Sequence, residues 1–133
     1  MHFTESQLSL LMNGEFMSDL SDLKKRLIQF REKRDWKQFH TLKNLMTALS
    51  IEVGELQELS LWKTDEEVSE LLKNPEFKKS LESECADILN FLVMISDAGD
   101  FDLIEAANRK ISKNDERYPA DKAKGTAKKY SEL

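Results

Sequence analysis

Residues 74–98, with the sequence NPEFKKSLESECADILNFLVMISDA, decide the fold of this chain. Asn74 followed by Pro75 supplies a cap and a first-turn proline, and predicts a long helix over this stretch. From Ile88 to Ile95 this helix is apolar nearly all round. A helix that is apolar on every side must pack against other helices all round, and one bundle of so small a chain has too few helices to do this. We therefore expect the protein to form a homo-oligomer.

Further helices are predicted on both sides of this stretch. Ser18 or Ser21 can cap a first helix, in which apolar residues recur at helical spacing. Residues 64–67, TDEE, have the form of a capping box, and residues 102–105, DLIE, resemble another. The predicted helices cover about residues 18–34, 42–59, 64–73, 74–98 and 102–114. No segment shows the strict alternation of a strand, so the predicted fold is all-α, a bundle of four to five helices.

The length of 133 residues fits one domain. We predict a helical domain over residues 18–119, because the helical periodicity is found there. Residues 1–17 lack the basic region and cleavage site of a signal peptide. They are predicted to be a disordered or non-native N-terminal extension, with Met17 as the native start. Residues 120–133 have no periodicity and are predicted to form an extended tail.

Composition and charge exclude several functional classes. The net charge of -5 and the pI near 5.1 disfavour nucleic acid as a partner, since duplex binding requires a basic face. No apolar run reaches the roughly 18 residues of a membrane span, so no membrane partner is expected. The single cysteine, Cys85, excludes an intramolecular disulfide. We expect a cytoplasmic protein in which Cys85 is a small buried hydrophobe.

Two pairs of acids are the candidate metal ligands: Glu52 with Glu55, and Glu84 with Asp87. Acids three residues apart lie on one face of a helix, about 5–6 Å apart at their Cβ atoms. Both pairs interrupt apolar faces, where an unpaired ionised carboxylate is costly. If the four acids converge, a hard divalent cation removes their repulsion. Oxygen-only ligands favour Mg²⁺, with Mn²⁺ as the alternative.

Two rival interpretations come from other classes. A di-iron bundle uses Glu-x-x-His motifs. The chain has only His2 and His40, and neither follows a glutamate by three residues, so this rival is rejected. His40 is predicted to be structural. The other rival, a non-catalytic helical module that binds a partner protein, stays open on this evidence.

Several short motifs follow one another along the chain. They are RDWKQFH at 34–40, EVGEL at 52–56, WK at 62–63, ECADIL at 84–89, KISKN at 110–114 and RYP at 117–119. In this order they resemble the motifs of the MazG-like nucleotide pyrophosphohydrolases, and are most similar to the dCTP pyrophosphatase branch. The resemblance covers about residues 20–130, nearly the whole chain.

The resemblance implies an all-α fold, assembly as a dimer or a dimer of dimers, and hydrolysis of a (deoxy)nucleoside triphosphate to the monophosphate and pyrophosphate. It further implies house-cleaning of the deoxynucleotide pool. The residues that would bind Mg²⁺ and carry catalysis are Glu52, Glu55, Glu84 and Asp87. The residues that would contact the base, the phosphates or the frame of the site are Trp36, Trp62, Lys110, Asn114, Arg117 and Tyr118.

The predicted chemistry is attack of water on the α-phosphorus, with Glu55 as the proton acceptor and pyrophosphate as the leaving group. Two positions depart from the dCTP branch. Leu27 stands where a related enzyme has a histidine near the base, and Phe91 stands where it has a tyrosine. The base preference is therefore a separate question from metal binding, and a related phosphate ester such as a phosphoribosyl-nucleotide is an alternative substrate.

Overall fold

The computed structural model describes residues 19–133, and every regular element within them is helical. In chain order these elements are α1 (Leu20–Glu32), α2 (Leu42–Glu58), α3 (Asp65–Leu71), α4 (Pro75–Ala98), α5 (Leu103–Arg117), α6 (Ala120–Ala123) and a 3₁₀ turn (Tyr130–Glu132). The predicted all-α class is confirmed, and the five predicted helices correspond to α1 through α5. The predicted N-terminal extension lies outside the described residues.

The predicted start signals of α3 and α4 are confirmed by their hydrogen bonds. Thr64 Oγ1 accepts a hydrogen bond from the Glu67 amide at 3.2 Å, and the Glu67 carboxylate accepts one from the Thr64 amide at 2.8 Å. This closes the capping box. Asn74 Oδ1 accepts from the Glu76 amide at 2.9 Å, immediately before Pro75 at the start of α4. The start of α4, the helix that carries Glu84 and Asp87, is thus fixed by local hydrogen bonds.

The start of α1 differs from the prediction. Asp19, rather than Ser21, is the cap, and its Oδ1 accepts a hydrogen bond from the Asp22 amide at 2.8 Å. Ser18 lies outside the described residues. Aspartate caps a helix as well as serine does, and its negative charge is favourable at the positive end of the helix dipole.

The described residues divide into two compact units, one through Asp100 and the other from Phe101 to Leu133. In the first unit α4 packs against α2 and, less extensively, against α1. The buried apolar side chains of the described residues are Leu45, Val93 and Met94. Since burial of apolar surface is the dominant favourable term in folding, α4 is the central helix of this unit.

A partly buried ion pair joins α1 to α4. Arg31 is only 7% exposed, and its Nη1 donates to the Asp97 carboxylate at 3.1 Å. Its Nη2 donates to Glu32 at 2.8 Å, and Lys24 Nζ lies 3.6 Å from Asp97. A guanidinium removed from water requires such partners, so this network holds the two helices in register.

The second unit contains α5, α6 and the 3₁₀ turn. The Tyr118 and Tyr130 rings pack edge to face at 6.0 Å, and the Arg117 guanidinium lies 5.0 Å from the centre of the Tyr130 ring. These contacts hold the chain end against α5. Residues 120–133 were predicted to be extended, but they include α6 and the 3₁₀ turn. The predicted extent of the helical domain, residues 18–119, stays a prediction.

Many large apolar side chains of the described residues are exposed in the single chain, including Phe39 (59%), Met46, Ile51 and Ile111. Such exposure is the property on which the predicted homo-oligomer depends, and the oligomer stays a prediction. None of the described helices combines the length and the apolar character required to cross a bilayer.

Candidate metal and nucleotide site

Three of the four predicted acids meet where α2 packs against α4. Glu52 and Glu55 lie one turn apart on α2, and Glu84 lies on α4. One carboxylate oxygen from each of the three lies within 4.8 Å of the other two. We call these residues the acidic trio. The predicted convergence of acids from two helices is therefore present in the fold.

The electrostatics of the acidic trio show the cost of this arrangement. Burial raises the pKa of Glu52 above its ordinary value, and the nearby charges of Glu55 and Asp87 raise it further. Burial and the same two acids raise the pKa of Glu84 as well. Glu84 Oε2 is buried and accepts no hydrogen bond within the described residues. A buried acceptor without a partner is unfavourable, and a cation would satisfy it.

The donor set fits a hard divalent ion. The acidic trio offers oxygen atoms only, which are the ligands that Mg²⁺ and Mn²⁺ prefer. A bound cation would stabilise the ionised carboxylates and lower their pKa values. The sequence-based choice of Mg²⁺ is thus compatible with the side chains that the structure brings together.

Asp87, the fourth predicted acid, occupies the edge of this cluster. It lies one turn after Glu84 on α4 and is exposed. Its charge acts on both Glu52 and Glu84, but it is outside the group whose oxygen atoms lie within 4.8 Å. Asp87 also lines a neighbouring cavity. It therefore stands between the acidic trio and that cavity.

The cavity has a volume of about 410 Å³ and lies between α1, α4 and the connection after α1. We call it the α1/α4 cavity. Its walls include Leu27 and Phe30 from α1, Trp36 from the connection, and Phe91 and Met94 from α4. A mostly apolar pocket with a few polar groups is typical of small-ligand sites. The cavity therefore includes Trp36, a predicted base contact. It also includes Leu27 and Phe91, the two positions that depart from the dCTP branch.

Four polar residues complete the cavity lining: Arg26, His40, Asp87 and Asn90. Burial, with the positive charge of Arg31, lowers the pKa of His40 below its ordinary value, so the ring is neutral at pH 7. His40 Nδ1 is buried without a hydrogen-bond partner in the described part of the chain. The prediction of a purely structural His40 did not foresee its place in the cavity.

Trp62 lies elsewhere in the first unit. It is 93% exposed, has a positive φ of 63°, and lines a separate cleft with Lys63, Glu66 and Asn74. That cleft shares no lining residue with the α1/α4 cavity. The structure therefore does not bring the two predicted base-contacting tryptophans together within the first unit.

The remaining predicted residues belong to the second unit. Lys110, Asn114 and Arg117 are spaced so that they share one face of α5, and Tyr118 is the residue at which α5 ends. Their predicted roles in phosphate binding stay predictions. Cys85, expected to be buried, is exposed.

Residues 47–133 match the family model of the MazG-like family. This match covers well over half of the chain, so the chain belongs to the MazG-like family. Its relatives include the dCTP pyrophosphatase 1 of Bos taurus, which is 40% identical over 114 residues, 86% of this chain and 68% of that protein. The human dCTP pyrophosphatase 1 is also 40% identical over 114 residues, 86% of this chain and 67% of that protein.

A crystal structure of a pyrophosphatase from Archaeoglobus fulgidus superposes with a TM-score of 0.71 and 37% sequence identity, covering 78% of this chain and 95% of that chain. The predicted resemblance, including its similarity to the dCTP pyrophosphatase branch, is confirmed by these relatives. The predicted enzyme class is confirmed with it: the chain is a nucleotide pyrophosphatase.

Proposed function

We propose that this enzyme is a Mg²⁺-dependent pyrophosphohydrolase of deoxynucleoside triphosphates such as dCTP, and that it acts in house-cleaning of the nucleotide pool. The observation that carries this proposal is the acidic trio, whose oxygen atoms from two helices lie within 4.8 Å of one another. Its support comes from the neighbouring α1/α4 cavity, which is large enough for a nucleobase.

Glu52, Glu55 and Glu84 would hold the metal, with Asp87 at the edge of the cluster as the fourth ligand. Bound Mg²⁺, or Mn²⁺ in its place, supplies charge neutralisation of the triphosphate and a lower pKa for water. The buried Oε2 of Glu84 accepts no hydrogen bond in the described residues, so a bound cation would supply its missing partner. Aligning a charged substrate in this way accounts for a large part of phosphoryl-transfer catalysis.

The reaction joins a water oxygen to the α-phosphorus and breaks the bond between that phosphorus and the oxygen that bridges to the β-phosphorus. The bridging oxygen leaves with pyrophosphate, and the monophosphate stays behind. Glu55, the exposed member of the acidic trio, is the proposed acceptor of the water proton. Its exposure gives water access to its carboxylate from solvent.

The α1/α4 cavity is the proposed base site, with Trp36 as its stacking surface. The resemblance supports Lys110, Asn114, Arg117 and Tyr118 as contacts of the phosphates or of the frame of the site. On the same ground Trp62 is proposed as a base contact, although it lines a separate cleft of the single chain. We also propose that the enzyme works as a homo-oligomer, because large apolar side chains such as Ile51 are exposed in the single chain. The proposed location is the cytoplasm, since a single cysteine suits a reducing compartment.

The test is pyrophosphate release from a panel of canonical and modified nucleoside triphosphates, with Mg²⁺ and with a chelator. We expect Mg²⁺-dependent release of pyrophosphate and the monophosphate, with a deoxynucleotide as the best substrate. Release of orthophosphate would place the attack at another phosphorus. No hydrolysis of any triphosphate would favour the alternative of a non-catalytic partner-binding module.

A further inference from the structure

Asn90 is a polar residue in a mostly apolar cavity. It lies on α4 one turn after Asp87, and both residues line the α1/α4 cavity. Asn90 therefore occupies the next turn beyond the acid that adjoins the acidic trio. A nucleotide with its phosphates at the acidic trio and its base in the cavity would pass Asp87 before it reaches Asn90.

Asn90 as a whole residue is half-buried. Within residues 19–133, the side-chain hydrogen bonds of the buried and part-buried regions are made by Arg31 and Ser96, and Asn90 takes part in none of them. The unpaired buried side-chain atoms of the described residues are His40 Nδ1 and Glu84 Oε2, so the Asn90 amide still meets solvent in the cavity. A ligand that fills the cavity would displace this water, which is unfavourable unless the amide gains a new partner. A ligand with a matching polar edge would supply that partner.

The other polar residues of the cavity are less suited to this task. Arg26 is exposed and carries a full charge, so water satisfies it at the cavity rim. Asp87 is the fourth metal ligand in the proposed function, so it is not available to the base. His40 is neutral, and its Nδ1 offers one hydrogen-bonding atom. Only Asn90 presents a donor and an acceptor side by side.

We propose that Asn90 binds the nucleobase by hydrogen bonding to its polar edge, an inference that rests on the proposed function. An amide can donate to cytosine N3 while it accepts from the cytosine amino group. After rotation by half a turn, it can accept from uracil or thymine N3–H while it donates to O4. Leu27 and Phe91 line the same cavity, so a base that fills it would displace water from this contact. A hydrogen bond lost from a contact without water is costly.

The experiment compares kcat/KM for dCTP with kcat/KM for 1′,2′-dideoxyribose 5′-triphosphate, which has the same triphosphate and no base. The ratio of the two is measured in the wild type, in Asn90→Leu and in Asn90→Asp. Leucine removes both hydrogen-bonding groups and suits an apolar cavity. Aspartate keeps the shape but removes the donor. The matched control is Asn108→Leu, an exposed asparagine on α5.

We expect the ratio to fall roughly tenfold or more in both Asn90 variants, because two hydrogen bonds to the base are lost or opposed. The control should keep the wild-type ratio. An unchanged ratio in the Asn90 variants overturns the inference, as does an equal loss with both substrates, which would place Asn90 in support of the fold or the acidic cluster. A wild type that hydrolyses neither substrate would instead refute the proposed function.

Discussion

The acidic trio and the α1/α4 cavity are neighbours in the first unit, but opposite physical effects shape them. In the acidic trio, like charges are crowded together, and burial raises the pKa of Glu52 and Glu84. In the cavity, apolar walls surround a neutral imidazole and an amide. In the proposed function the acidic trio binds the triphosphate, through a metal ion, and the triphosphate is common to all substrates. The cavity binds the base, which differs between them.

This contrast predicts that changes to the two regions have separable kinetic effects. A change in the acidic trio should lower kcat for every nucleotide by a similar factor, because all share the triphosphate. A change in the cavity should act on KM and on the ranking of bases.

The largest effect is expected for Glu84→Gln. Glutamine keeps the size of the side chain but removes the negative charge, so the acidic trio loses a metal ligand. We expect kcat/KM to fall by roughly 10²–10³-fold with each nucleotide. Removal of one electrostatic contact from an active site typically lowers the rate by this factor. Steady-state release of pyrophosphate measures it.

Glu82→Gln is the matched control for this change. Glu82 is on the same helix, two residues before Glu84, and is exposed. It should keep activity within about twofold of the wild type, since an isolated surface charge is worth little. Equal losses in the two variants would mean that net charge, and not the acidic trio, supports turnover.

A smaller effect is expected for Trp36→Ala. Removal of one stacking surface costs about 1–3 kcal/mol per base, so KM should rise roughly tenfold with most of the loss in binding. Lys37→Ala is the control, because Lys37 is the next residue of the same connection and is exposed but does not line the cavity. If the two variants have the same KM, the cavity is not the base site.

The smallest effect is a pH dependence of stability that comes from His40. Its pKa is lowered in the folded protein, so below its ordinary value of 6.5 the unfolded chain binds the proton more readily than the folded one. Stability is therefore lost as pH falls from 7 toward 5. In His40→Gln the melting temperature should fall less steeply over this range. Parallel curves for the two proteins would show that His40 titrates normally.

Much of the fold could be predicted because its signals are local. Asn74-Pro75 and the Thr64 capping box act through hydrogen bonds within four residues, and both helix starts were confirmed. The cap of α1 was missed, since serine and aspartate compete on nearly equal terms at such a position. α6 was missed because four residues carry no periodicity.

The acidic trio could also be predicted, because acids that interrupt an apolar helix face are visible in the sequence. Such acids are unfavourable there unless a cation or a hydrogen bond compensates them. The α1/α4 cavity could not, since it exists only where α1 packs against α4. His40 and Asn90 acquire their roles from that packing. Asn90 did leave one signal, as the polar residue within the apolar run from Ile88 to Ile95. Cys85 shows the reverse error, because the usual burial of cysteine does not decide its exposure at one position of α4.

The most direct test of the acidic trio as a metal site is the melting temperature of the wild type and of Glu84→Gln, each titrated with Mg²⁺. A ligand at a hundred times its Kd adds about 2.7 kcal/mol of stability. We predict a saturable rise in melting temperature of several degrees for the wild type and little or none for Glu84→Gln. Equal responses of the two proteins, or no response from the wild type, would contradict a metal site at Glu52, Glu55 and Glu84.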